Sequence, residues 1–225
     1  MKNPSNSSVS PTKVCGVLAA VIVMTGCAAT RPVKYYQISA LPAPRIASGR
    51  PRSLTLLVGR IECAPLMRDG GILYRTGTHE VNAYQYHRWL ETPDRVVHDM
   101  LVQVLRASGR YSSVQEQGAA IGGDYLVRGK LVDFSEIDNS TIQARVSLAI
   151  ELYNRKAGST VWTHTYTRDE PVEGKDIQDV VRCLERNLSN GLNEIAASLD
   201  QFFSHELEAT SGIGNSTISV GSGSY

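Results

Sequence analysis

The chain has 225 residues, enough for one domain with a real core plus tails. Its 23 basic and 22 acidic residues give a net charge of +1 and form no charge block, so no basic face for nucleic acid is present. HExxH, GxSxG and P-loop motifs are absent, as is a GxGxxG run after a strand, so the composition points away from an enzyme and calls for no cofactor.

The first element is a signal. A polar start carries Lys2 and Lys13 and no acid; an apolar run follows from Val14 to Thr25, shorter than the roughly 20 residues a membrane-spanning helix needs. Small Thr25 and Gly26 then precede a cysteine. The stretch Val21-Ile-Val-Met-Thr-Gly-Cys27 resembles the lipobox of bacterial lipoproteins. The resemblance implies cleavage before Cys27, attachment of a diacylglycerol to its thiol and acylation of its new amino group. More than one acyl chain gives stable anchoring. Ala28 after the cysteine resembles the default signal for outer-membrane sorting in enteric-type lipoproteins. Without residues 1–26 the chain has 199 residues and a net charge near −1.

Residues 27–53 are expected to hold the lipid anchor, a tether and a first strand at Tyr35–Leu41, followed by a linker with Pro42, Pro44 and Pro51. A globular domain is expected over 54–207. It opens with a strand at Leu54–Ile61, apolar enough to be buried on both faces and stopped by Pro65. Asp69-Gly-Gly71 marks a turn, and Ile72–Arg75 and Glu80–Tyr84 predict a hairpin around Gly77. Thr92-Pro93 opens a first helix, with Thr92 as side-chain cap, and Val96, Val97, Met100, Leu101, Val104 and Leu105 form its apolar stripe up to Gly109.

A short strand is expected at Tyr111–Val114, then an antiparallel meander of Asp124–Ile137, Thr141–Tyr153 and Thr160–Arg168. In its middle strand Ala144, Val146, Leu148, Ile150 and Leu152 alternate strictly with polar residues, the pattern of a sheet with one face in the core. A last helix is predicted from Asp176 to about His205, with Ile177, Val180, Val181, Leu184, Leu188, Leu192, Ile195, Leu199 and Phe202 as its buried stripe. Residues 208–225 are rich in Gly and Ser and read as a disordered tail. The fold class is therefore α+β: a mainly antiparallel sheet with two long helices packed on one face.

Of four cysteines, Cys15 leaves with the signal and Cys27 takes the lipid. Cys63 and Cys183 remain; in an oxidising periplasm the two thiols could pair, and their spacing does not say whether they are close enough. Neither has a CxxC partner or a nearby His, so no metal is expected there. Asp133, Glu136 and Asp138 cluster near a turn and are expected to be solvated. His87 and His164 are the candidates a hydrolase would use, with no companion nucleophile visible, and His98 reads as a core-edge residue.

One stretch concentrates recognition chemistry: Tyr84, Tyr86, His87, Arg88 and Trp89, just before the first helix. Tyr, Trp and Arg join broad apolar area to a polar tip and are enriched in interface hot spots. Against a partner-binding role stands a packing role, with Tyr84 and Trp89 pinning a loop to the core and Arg88 paired to an acid.

The runs Val58-Gly-Arg-Ile61, Leu73-Tyr-Arg75 and Tyr86-His-Arg-Trp89 with Pro93, then Val127–Phe134, the alternating strand Ala144–Leu152 and the helical segment Asn187–Leu199, together resemble the auxiliary lipoprotein family of ABC-type transport systems. That family includes the paraquat-inducible Pqi-type lipoprotein. Cys63, Cys183 and the longer tail depart from its pattern. The resemblance implies a non-enzymatic, lipid-anchored component of an MCE/ABC-type lipid or organic-solute transport system, at the outer membrane and facing the periplasm. It implies an MCE-domain periplasm-spanning partner, an inner-membrane transporter beyond it, and self-assembly into a homo-oligomer. The expected role is a docking subunit, with the sheet face or the His-Arg-Trp segment receiving the partner; the alternative is a periplasmic lipid-binding carrier with its own apolar cavity.

Overall fold

The structure, a computed structural model, describes residues 31–39, 51–77, 79–119 and 122–214, with side chains as far as Glu206. Cys27, the signal and residues 215–225 lie outside the described residues. The elements run β1 (Lys34–Tyr36), β2 (Arg52–Cys63), α1 (Pro65–Arg68), β3 (Gly71–Thr76), β4 (Glu80–Trp89), α2 (Pro93–Ala107), β5 (Tyr111–Glu116), β6 (Tyr125–Asp138), β7 (Ile142–Asn154), β8 (Ser159–Pro171) and α3 (Ile177–Gly214). No described helix is long and apolar enough to cross a membrane.

Strand β6 organises the sheet. One of its edges pairs with β7 over its whole length, antiparallel. Its other edge is shared: Tyr125–Leu131 run parallel to β2, and Ser135–Asp138 run parallel to β3. A register shift between Leu131 and Asp133 separates the two halves and leaves Val132 46% exposed. The order is β1-β4-β3-β6-β2-β5, with β7 and β8 continuing from β6. The sheet is therefore mixed. Its longest ladders, β6 with β7 and β7 with β8, are antiparallel, as is the β3–β4 hairpin. β2 has a parallel neighbour on each side and β1 runs parallel to β4, so the sheet is mixed, but its long ladders keep it largely antiparallel, as expected.

The meander stands as predicted. Ala144, Val146, Leu148, Ile150 and Leu152 are all buried, each two residues from the next. The β7–β8 turn is set locally: the Asn154 side-chain oxygen accepts from the backbone N–H of Lys156 and Ala157, and Gly158 takes φ 71°. The expected first strand is shorter, only Lys34–Tyr36.

In α2, Pro93 stands in the first turn as expected, but the Thr92 side chain makes no capping bond; the Thr92 carbonyl accepts from Arg95 and Val96 instead. Asp176 caps α3 by accepting from Asp179 and Val180 through its carbonyl, and the Asp179 carboxylate accepts from the Asp176 N–H in return. Its buried stripe runs from Val180 to Phe203; Phe203 is buried where Phe202 was expected, four residues beyond Leu199. The helix continues past His205 to Gly214, so the first part of the expected tail is helical, and 38 residues give α3 a length of about 57 Å. α2 packs on β2, β5 and β6, α3 packs on β7, β8 and β6, and the two helices touch each other.

Candidate functional site

Tyr84–Trp89 forms the second half of β4, not a loop. The β3–β4 register jumps between Gly71↔Arg88 and Leu73↔Ala83, so β4 bulges within this segment. The bulge turns Tyr84 toward the side that carries His87 and Trp89. The Tyr84 ring lies 4.6 Å from Tyr74 and 5.6 Å from His87, and its hydroxyl donates to Glu136 Oε2 at 3.0 Å. His87 Nδ1 shares a 2.8 Å hydrogen bond with the Tyr36 hydroxyl. Trp89 is buried with its ring 5.4 Å from Phe134. Arg88 donates to the backbone carbonyl of Asp69, not to an acid. Tyr86 is half-buried. The five residues are thus brought together, but Tyr84, His87, Arg88 and Trp89 are engaged inside the chain.

Strand β6 buries two carboxylates that were expected to be solvated. Asp133 and Glu136 are 6% and 4% exposed, because β6 runs through the sheet interior with strands on both edges. Asp133 pairs with Arg75 at 2.8 Å and accepts from Ser135 at 2.7 Å. Burial pushes the Glu136 carboxyl above its ordinary range, the Tyr84 bond draws it back, and Asp138 adds to the rise. Burial likewise raises the Tyr84 hydroxyl, helped by the Glu136 charge. No three His, Cys, Asp or Glu residues among the described ones are grouped to hold a metal.

Cys63 and Cys183 are both buried, and each stands as a free thiol. Each has its own surroundings: Cys63 ends β2 near Arg68 and Asp94, while the Cys183 thiol points at the Glu170 and Pro171 carbonyls, 3.6 Å from each. Burial raises both thiols, which keeps them protonated and unreactive. His98 is half-buried and bonds its neighbour Asp99 at 2.8 Å. His164 stacks on Trp162 at 5.9 Å and shares a 3.1 Å bond with Glu194 of α3.

A wide, open groove of about 1490 Å³ crosses the sheet. Strands β2, β6, β7 and β8 line it with Arg60, Glu62, Arg128, Lys130, Glu151, Thr163 and Thr165, and α2 adds Arg95, His98 and Asp99. Arg128 pairs with Glu151 and lies 5.1 Å from the Tyr153 ring centroid. Arg60, Glu62 and Lys130 are exposed and make no hydrogen bond or ion pair among the described residues. Past Val58, where Gln117 bonds back to its carbonyl, β5 no longer covers β2, so Arg60 and Glu62 sit beside an open strand edge. The sequence reading had raised the sheet face as a surface without naming these residues; the alternation of Arg128, Lys130 and Glu151 against buried neighbours was the available signal. A second, apolar pocket beside Trp89 and Phe134 holds only about 10 Å³, room for one water.

An α+β domain with a buried helix-on-sheet core and a polar, charge-lined sheet surface is thus defined. Its fold is shared with a Xanthomonas campestris protein of the family DUF330, 20% identical, with TM-score 0.71 over 78% of this chain and 99% of that one. It is shared also with an uncharacterised protein, 14% identical, with TM-score 0.59 over 75% of this chain and 99% of the other. No curated protein matches the sequence. The family model for the ABC-type transport auxiliary lipoprotein component matches residues 36–196, and the chain belongs to that family. This is not a catalytic family, and its members are auxiliary components of transport.

Proposed function

We propose that the protein is a docking subunit of an MCE/ABC-type lipid transport system, anchored by acyl chains on Cys27 to the periplasmic side of the outer membrane. The family match over residues 36–196 carries this reading. In it, the periplasm-spanning MCE-domain protein is received on the charged groove, not on the His-Arg-Trp segment. Arg60, Glu62 and Lys130 are exposed and uncommitted there, whereas Tyr84, His87, Arg88 and Trp89 are held by partners inside the chain. A lipid carrier would need an enclosed apolar cavity; the roomy concavity is open and charged, and the apolar pocket holds one water. The test is a mild-detergent pull-down of tagged, full-length protein from its native membranes, identifying proteins and lipids. Recovery of an MCE-domain protein supports docking; stoichiometric phospholipid without protein overturns it in favour of the carrier.

A further inference from the structure

Among the exposed large apolar residues of the fold, Val33, Tyr35 and Leu90 gather at one place, at 42%, 62% and 59% exposure. Among the described residues β1 is an edge strand paired with β4 alone, Tyr35 beside Arg88 and Tyr36 beside Trp89. The Leu90 N–H continues this ladder by donating to the Tyr36 carbonyl at 2.8 Å. Side chains alternate across a strand, so Tyr35 lies on the face of β1 opposite to half-buried Tyr36 and buried Trp89, and Val33 and Leu90 stand exposed just beyond the ends of β1 and β4. Exposed Lys34, between Val33 and Tyr35 in the chain, adds a cation to this edge.

Scattered surface apolar groups need no explanation, but a contiguous set on a sheet edge does. The occupant is indicated by the chain itself. Only five residues lie between Cys27 and Val33, six residue steps that reach at most about 20 Å when fully extended. An acylated Cys27 therefore holds this edge within about 20 Å of the lipid surface, less than the length of α3. Tyrosine suits a membrane interface through its apolar ring and polar tip, and a lysine beside it is drawn to anionic headgroups.

We propose that Val33, Tyr35 and Leu90 form a second, non-covalent contact with the phospholipid surface. Together with the anchor, this contact fixes the domain's orientation, with the β1 edge against the bilayer. The proposal rests on acylation of Cys27, which its test measures separately. Full-length protein is reconstituted into mixed phosphatidylethanolamine and phosphatidylglycerol vesicles after intact mass has shown the acyl chains. An environment-sensitive fluorophore is placed on Tyr35→Cys, Leu90→Cys or, in the groove, Thr165→Cys; buried Cys63 and Cys183 stay unlabelled in the folded protein. Headgroup-region spin-labelled lipid is expected to quench the labels at 35 and 90 several-fold more than that at 165. In the unsubstituted protein, vesicles should slow amide exchange across 33–36 and 90.

Equal quenching at all three positions in acylated protein overturns the proposal while leaving the anchor intact. Label signals that follow protein density in the vesicles rather than the quencher would assign the patch to a second copy and overturn it as well. A mass without acyl chains overturns the anchor reading and the proposal with it.

Discussion

Trp89 and Glu136 lie under the same strand and have opposite effects on stability. The Trp89 ring is buried against Phe134, and removing it opens a cavity where β4 enters the core. Trp89→Ala should cost about 3–5 kcal/mol, read as a lower denaturation midpoint with an unchanged slope. Glu136 is buried and accepts from a neutral donor, the Tyr84 hydroxyl. Its carboxyl is held above its ordinary value of 4.5 by burial first, then by Asp138, against the pull of Tyr84. Folding thus favours the protonated acid, so stability from this group is complete below pH 4.5 and is lost as pH rises through the higher folded value. Glu136→Gln keeps an acceptor for Tyr84 and removes the charge. It should stabilise the protein at pH 7 and make no difference at pH 4, with urea denaturation at both pH values as the check.

Among the elements, α3 depends on two polar fastenings along its apolar stripe. Near its start Asn187 is wholly buried: it donates to the Ala144 and Arg168 carbonyls at 3.0 Å and accepts from the Tyr166 hydroxyl at 2.6 Å. Burial pushes the Tyr166 hydroxyl up to about 12. Gly191 allows this approach, since a Cβ there would stand 2.7 Å from the Tyr166 ring. Further along, Asp200 pairs with Arg52 and, at 2.8 Å, with Arg110, joining the helix to the start of β2 and to the residue just before β5. Burial pushes the Asp200 carboxyl up, but bonds from Arg110 and Arg52 outweigh it and hold the carboxyl below its ordinary 3.8. Its stabilisation is present above pH 3.8 and is lost as pH falls through the depressed value. Asp200→Asn leaves the nearly buried Arg52 without its counter-charge. It should cost roughly 3 kcal/mol at pH 7 and shrink in effect toward pH 2, measured by thermal unfolding across pH.

For the whole molecule, the groove and the β1 edge are separate surfaces with separate chemistry. If the groove receives the partner, reversing its free cations should break capture without touching the fold. The pair Arg60→Glu and Lys130→Glu should lower partner recovery at least tenfold, with a stability change within about 0.5 kcal/mol because both residues are exposed. Capture by the wild type should weaken as salt rises, since exposed charges are screened over about 10 Å at 0.1 M. Unchanged recovery from the folded double variant would remove the groove from the docking reading.

What the sequence determined by itself was local or periodic. The meander, the β3–β4 hairpin and the two helices rest on spacing and turn residues, and the period-two run Ala144–Leu152 was legible because one of its faces is core and the other is not. The family followed from short runs in order. Tertiary structure decided what depends on neighbours distant in the chain. The parallel partners of β2 follow from β6 dividing its edge between β2 and β3, which no local pattern encodes. Asp133 and Glu136 looked solvated beside a turn, but that same division puts strands on both sides of them and supplies Arg75, Ser135 and Tyr84 as partners. At Tyr84 and Trp89 the aromatic segment follows the packing alternative, because the bulge in β4 turns Tyr84 onto the same side as His87 and Trp89. Polar atoms read from a sequence have no known partner, and only the packed fold shows which are satisfied inside and which, like Arg60 and Lys130, are left facing out.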